Sequence, residues 1–358
     1  MMNHRKANRR VVSAAVIVAM LVLLMMPITA HGAGKTVAKV GNKNYTSLQD
    51  AVSAVKSGGT VKLMRNVKLK SDLEFKRGGT YTLNLNHHQI TGGFRNAIEI
   101  SKGNIKFKNG TISSPIRVFN KAKLTILSGT YKRKAKGDGS VLLDCYGNSR
   151  LIIKGGSFNG ANGVDGNAKV WIKAGTFSCT NWAAPAFTVS GKAVATVSGG
   201  VFKGSFGSSG TTTIKKGTFK KEISNDGKMV INKATVTGTV INSGSLKIKG
   251  GTFYKKGVEH SYNTGTTDHT TLFLLGGTTI IEGGTFTNKY NSVIDLNISR
   301  GSPNDYPKLT IKGGTIKTSC PYCTPIVSTS DIKDKIRISI NWSKVFPGKT
   351  KEEVIKYF

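Results

Sequence analysis

The chain has 358 residues, of which 38% are hydrophobic, and sets 53 lysines and arginines against 18 acids for a formal charge of +35. By length it can hold two domains, although one continuous repeat argues for a single one, and no segment after residue 33 is apolar enough to cross a membrane. So much unneutralised charge recruits counter-ions or an anionic polymer; solubility alone is the other reading.

Arg5, Lys6, Arg9 and Arg10 precede an apolar run over residues 11–26, and small residues surround positions 30–33. The run is short for a membrane span, so residues 1–33 read as a cleaved secretory signal, with an uncleaved anchor as runner-up. Its removal lowers the charge from +35 to +31, since it carries four basic residues and no acid. Export leaves cell-wall polymers, acidic polysaccharides and anionic lipid headgroups as partners; nucleic acid is not expected.

Residues 34–60 read as an N-terminal cap. Leu48, Ala51, Val52 and Val55 share one helical face, with Ser47 as N-cap and Gly58 as stop. A short amphipathic helix at this place covers the open end of whatever repeat follows.

From residue 61 to about 340 one phrase recurs. It reads Gly110-Thr111-Ile112, Gly129-Thr130-Tyr131, Gly156-Ser157-Phe158, Gly175-Thr176-Phe177, Gly200-Val201-Phe202 and Gly217-Thr218-Phe219. Ala234-Thr235-Val236, Gly251-Thr252-Phe253, Gly284-Thr285-Phe286 and Gly314-Thr315-Ile316 continue it. The intervals are 19, 27, 19, 25, 17, 17, 17, 33 and 30 residues, one solenoid coil each, some with insertions. Three positions before each phrase the residue is always apolar (Phe107, Ile126, Ile153, Ile172, Val197, Ile214, Ile231, Ile248, Ile281, Ile311). Five before, it is mostly so. That period of two marks a strand with one buried face. The glycine bends the chain and the large residue after it returns inside to stack on the next coil. The expected fold is all-β: a right-handed, single-stranded parallel β-helix, capped by the N-terminal helix and by a short helix in residues 341–358.

The helix sequence Ser47-Leu48-Gln49-Asp50-Ala51-Val52, then Gly58-Gly59-Thr60-Val61-Lys62-Leu63 and Leu83-Asn84-Leu85-Asn86-His87-His88-Gln89-Ile90-Thr91-Gly92, resembles the opening of pectin-lyase-like right-handed β-helix proteins. With the coils, the resemblance covers roughly residues 38–340. It implies a fold shared by pectate lyases, polygalacturonases and many non-catalytic surface proteins. The Asn-Thr-Asp, Asp-Asp and Gly-His-Gly blocks of polygalacturonase-like members do not occur, nor does a tight cluster of calcium-binding aspartates.

Two residues before the phrase stand Lys108, Lys154, Lys173, Lys215, Lys249 and Lys312, interrupted by Leu127, Ser198, Asn232 and Glu282. On rungs about 4.8 Å apart they form a basic stripe along the long axis. Such a stripe binds a polyanion or splays into solvent to block sheet aggregation. Thr111, Thr130, Ser157, Thr176, Thr218, Thr235, Thr252, Thr285 and Thr315 form a second outward ladder, which suits a β surface.

Among the few carboxylates, Glu99, Asp144, Asp165 and Asp295 are expected on the outer side of another strand of the coil. Asp144 and Asp165 on adjacent rungs, about 5 Å apart, match a retaining carboxylate pair; pairing with lysine explains them equally. Insertions over residues 132–138, 179–185 and 257–271 are expected to leave one edge. They offer Lys132, Arg133 and Lys134, Trp182 for a sugar face, and Glu259, His260, Tyr262, Asp268 and His269 for acid–base or metal chemistry or an ordinary polar loop. A fourth insertion, 299–307, follows Asp295 and can wall a trough over it.

His87 and His88, read as strand neighbours, point to opposite faces and cannot chelate together. Cys320-Pro321-Tyr322-Cys323 reads as a loop disulfide or two spare thiols, since no βαβ unit surrounds it. Thr350 with Glu353 makes a capping box, with a final helix expected from Val354. The reading is a secreted or cell-surface monomer that binds an anionic polysaccharide or wall polymer without turnover or cofactor. The alternative is a polysaccharide lyase or glycosidase on acidic glycans, with calcium in the lyase case.

Overall fold

Each coil is three short strands, one in each of three parallel sheets. The computed structural model describes residues 35–93, 96–133, 141–179, 184–255, 270–298, 305–328 and 330–357. A representative coil runs through Lys169–Ile172 in a first sheet, Thr176–Ser178 in a second and Phe187–Val189 in a third, then returns to the first at Val194–Val197. The second sheet has 12 strands, one per complete coil, and the first and third have 15 and 13. The architecture is a parallel β-helix, and Val37–Phe358 form one compact unit.

The sequence columns are the walls of the core. Every residue three before the phrase is fully buried, from Phe107 to Ile311. The register stacks them directly: Ile153 on Ile172, Ile172 on Val197, Val197 on Ile214. The returning aromatics stack as well, Tyr131–Phe158–Phe177–Phe202–Phe219, with ring centroids 4.9, 4.8, 4.7 and 4.6 Å apart. Val236 interrupts that column, and Phe253 resumes it against Phe286 at 4.5 Å. Offset stacking of this kind adds to what burial alone supplies. At Gly175 the backbone needs φ +124°, and a Cβ there would lie 3.2 Å from the Gly156 carbonyl oxygen, so two requirements favour glycine at once.

Two polar residues interrupt the column five before the phrase, and both are satisfied inside. Thr212 bonds Ser208 at 2.8 Å, and Thr279 accepts from Asn242 at 3.0 Å; Asn225 in turn donates to Asn242 at 2.7 Å. Buried hydrogen-bonding groups cost little when paired in this way.

Both ends of the solenoid are closed. Helix α1 (Leu48–Ala54) is capped by the Ser47 hydroxyl and buries Leu48, Ala51 and Val52, with Val55 buried beyond it. Gln49 acts as a surrogate strand: its amide accepts from Glu74 N–H at 2.9 Å and donates to Glu74 C=O at 3.1 Å, pairing the edge strand Leu73–Phe75. A hairpin, Ala38–Val40 and Lys43–Tyr45, adds antiparallel to Thr60–Leu63 on the first sheet. At the other end, the capping box at Thr350 opens the one-turn helix Lys351–Val354. The final helix expected from Val354 onward is corrected: Ile355–Tyr357 is a strand, paired in parallel with Ile326–Ser328 of the third sheet. His87 and His88 are also not on a strand. They sit in a turn where Asn86 and His87 take φ 48° and 65°.

Candidate functional site

The six predicted lysines belong to the outer side of the first sheet and lie in one row. Backbone hydrogen bonds run rung to rung through that row, as from Lys154 N–H to Ile126 C=O, Lys173 to Ile153, Lys215 to Val197, Lys249 to Ile231 and Lys312 to Ile281. Lys108 opens it, opposite Asn84. Lys154, Lys173, Lys215, Lys249 and Lys312 are exposed and Lys108 is half-buried.

A second basic row, missed in the sequence, runs parallel to the first. It lies six positions before the phrase and contains Lys123, Arg150 and Lys169 on three consecutive rungs, then Lys228, Lys308 and Arg337. The same period of two that located the buried columns locates this one. The two rows are four residues apart along each strand, about 13 Å. Between them runs a central row of smaller charge: Lys106, Thr125, Ile152, Trp171, Thr196, Thr213, Val230, Lys247, Ile280 and Thr310.

Glu282 is the sole carboxylate in the three rows from Asn104–Lys108 onward. It accepts from Lys247 Nζ at 3.0 Å. That bond, with the charges of Lys247, Lys249 and Lys312, holds its carboxyl below the usual range. The stripe is therefore partly neutralised towards the C-terminal end, and among the described residues no ion pair engages Arg150, Lys154, Lys169 or Lys173.

The acids gather instead on the outer side of the third sheet. Glu74, Glu99, Arg117 and Asp144 occupy consecutive rungs. Arg117 Nη1 meets Glu99 Oε1 at 3.1 Å. Burial pushes the Asp144 carboxyl up, Asp165 adds to the shift and Arg117 opposes it. Asp144 and Asp165 do lie on adjacent rungs but are offset. Asp144 faces Gly163, and the register would set Asp165 against Tyr146, just past the end of the strand Ala161–Val164. Asp165 is exposed and accepts from Gly166 N–H at 2.6 Å. Asp295 sits six rungs further along, between Phe273 and Val327, and is only 1% exposed.

The insertion over 132–138 begins with exposed Lys132 at the end of Thr130–Lys132 and with Arg133, whose guanidinium donates to Val141 C=O at 2.8 Å. Lys134, Trp182, His260 and His269, with Glu259, Tyr262 and Asp268, lie outside the described residues, as do residues 1–34. Among the described residues, no group of three or more His, Cys, Asp or Glu is placed to hold a metal ion, and no helix is long and apolar enough to cross a membrane. Cys320 and Cys323 form a disulfide, while Cys145 and Cys179 are free. Compared with known proteins, the chain matches no family model, no curated protein and no solved structure.

Proposed function

We propose that this is a secreted or cell-surface, pectin-lyase-like β-helix that binds an anionic polysaccharide or wall polymer along its first sheet, without cleaving it. The observation that carries this reading is the pair of interrupted basic rows on one sheet face, in which Glu282 is the one carboxylate among the described residues. Where cations fall on adjacent rungs about 4.8 Å apart, as along Lys123, Arg150 and Lys169 and at Lys154 and Lys173, they repel one another, and a polyanion laid over them removes that cost. The leader-like residues 1–33 support export, and the excess of charge favours a polymer over a small ligand.

The test is retention on immobilised anionic polysaccharide as salt is raised. Retention should fall steeply between low and physiological salt, and Lys154→Glu with Lys173→Glu should abolish it while Asp144→Asn leaves it unchanged. Retention indifferent to those reversals would refute the reading. A lyase or glycosidase is the second reading, favoured by one observation: burial, with the charge of Asp165, pushes the Asp144 carboxyl up against the opposing pull of Arg117. It requires turnover that is lost in Asp144→Asn.

A further inference from the structure

The face is not uniform along its length. Only two adjacent strands carry a cation in both outer rows around an apolar centre: Arg150–Ile152–Lys154 and Lys169–Trp171–Lys173. Elsewhere the pattern is broken, as in Val194–Thr196–Ser198, Lys228–Val230–Asn232 and Thr278–Ile280–Glu282. The register sets Arg150 on Lys169 and Ile152 on Trp171. All four cations are exposed, Ile152 and Trp171 are half-buried, and no ion pair engages any of the four among the described residues.

An outward indole on a β face is a large apolar surface left partly in water, flanked here by charge on both sides. A bare polyanion satisfies the lysines and gains nothing from the indole. A sugar ring that carries acidic groups satisfies both, because its C–H face lies flat on an aromatic while its anions project from its edges.

We propose that Arg150, Ile152, Lys154, Lys169, Trp171 and Lys173 form a ring-recognition subsite for a pyranose polymer bearing carboxylate or sulfate groups. A ring stacks on Trp171 and Ile152, and its anions meet the flanking rows. This deepens the polymer-binding reading and rests on it. It selects a glycan over a ringless polyanion such as a polyphosphate.

The experiment compares the purified protein with its Trp171→Thr and Trp171→Tyr variants on three probes: hyaluronate, with carboxylates on rings; heparin, with sulfates on rings; and inorganic polyphosphate, with no ring. Threonine already occupies the same row at Thr125 and Thr196, so Trp171→Thr suits the strand. Trp171→Thr should weaken binding of at least one ringed probe about tenfold and change polyphosphate binding less than about twofold. Trp171→Tyr, which keeps an aromatic face, should retain most of the affinity. Which ringed probe loses more identifies the anion. Equal losses on all three probes, or no loss on any, would overturn the subsite. If Trp171→Thr is silent while Lys154→Glu with Lys173→Glu abolishes binding, the subsite falls and the charge-based reading survives. If the unaltered protein binds none of the three, both fall together.

Discussion

Phe202 is the residue whose removal tests the architecture most sharply. Its side chain is fully buried; its ring stacks on Phe177 at 4.7 Å and on Phe219 at 4.6 Å, and meets Phe206 edge-on at 5.4 Å. A buried Phe→Ala change costs about 3–5 kcal/mol from lost transfer energy and the cavity left behind. Three ring contacts on a wall that cannot collapse put Phe202→Ala near the upper end, about 5 kcal/mol. With an unfolding entropy of about 2.1 cal/mol/K per residue over about 320 residues, the thermal midpoint should drop by about 7 °C. Phe202→Leu, which keeps most of the volume, should lose less than half as much. The assay is thermal unfolding followed by circular dichroism in the β-sheet band. A drop of less than about 2 °C for Phe202→Ala would refute the claim that the stacked aromatics bind coil to coil.

Four further outcomes follow from other parts of the molecule. Gly175→Ala forces a Cβ into a positive-φ position beside the Gly156 carbonyl and should destabilise by about 1–3 kcal/mol, read in the same melt. Asp144 has a raised carboxyl pKa in the fold, so the native state holds its proton more tightly than the unfolded chain does, and stability falls as pH rises through the window between the two values. Asp144→Asn should therefore be more stable than the parent at neutral pH, with the gain vanishing in acid; a constant difference across pH contradicts this. Burial pushes the Cys145 thiol up to about 12, and its sulfur lies 3.1 Å from the Ser149 hydroxyl, so alkylation read by mass spectrometry should label it only after unfolding. Glu282→Gln should strengthen polymer retention, because it removes a carboxylate that interacts with Lys247, Lys249 and Lys312.

Much of the coil was legible because two signals agreed. The apolar columns before each phrase fixed the strand, and the glycine with its following aromatic fixed the bend. The same agreement placed helix α1, whose cap and buried face came out as read. The misses have local causes. His87 looks like a strand residue because Leu83, Leu85 and Ile90 surround it with apolar spacing, yet Asn86 and His87 adopt left-handed backbone angles that spacing does not encode. Residues 355–357 are too few to tell a helical from a strand period, and the capping box just upstream favours a helix that ends instead at Val354. The Asp144–Asp165 offset comes from their 21-residue separation on strands whose register repeats every 19, which sets Asp144 on Gly163 and leaves Asp165 past its strand. The row of Lys123, Arg150 and Lys169 follows the same period, two outward positions upstream of the lysine column. Trp171 falls at an outward position by the period of two, but its neighbours Ile152, Arg150 and Lys169 are set by the strand register.

On the proposed function, the basic sheet face holds an acidic polymer and leaves it whole. The most direct measurement is co-sedimentation of the protein with a defined-length acidic polysaccharide at low salt, with and without calcium, followed by the chain-length distribution of the recovered polymer. The account predicts protein in the pellet and an unchanged distribution under both conditions. Shortened chains, or a polymer that leaves the protein in the supernatant at low salt, would contradict it.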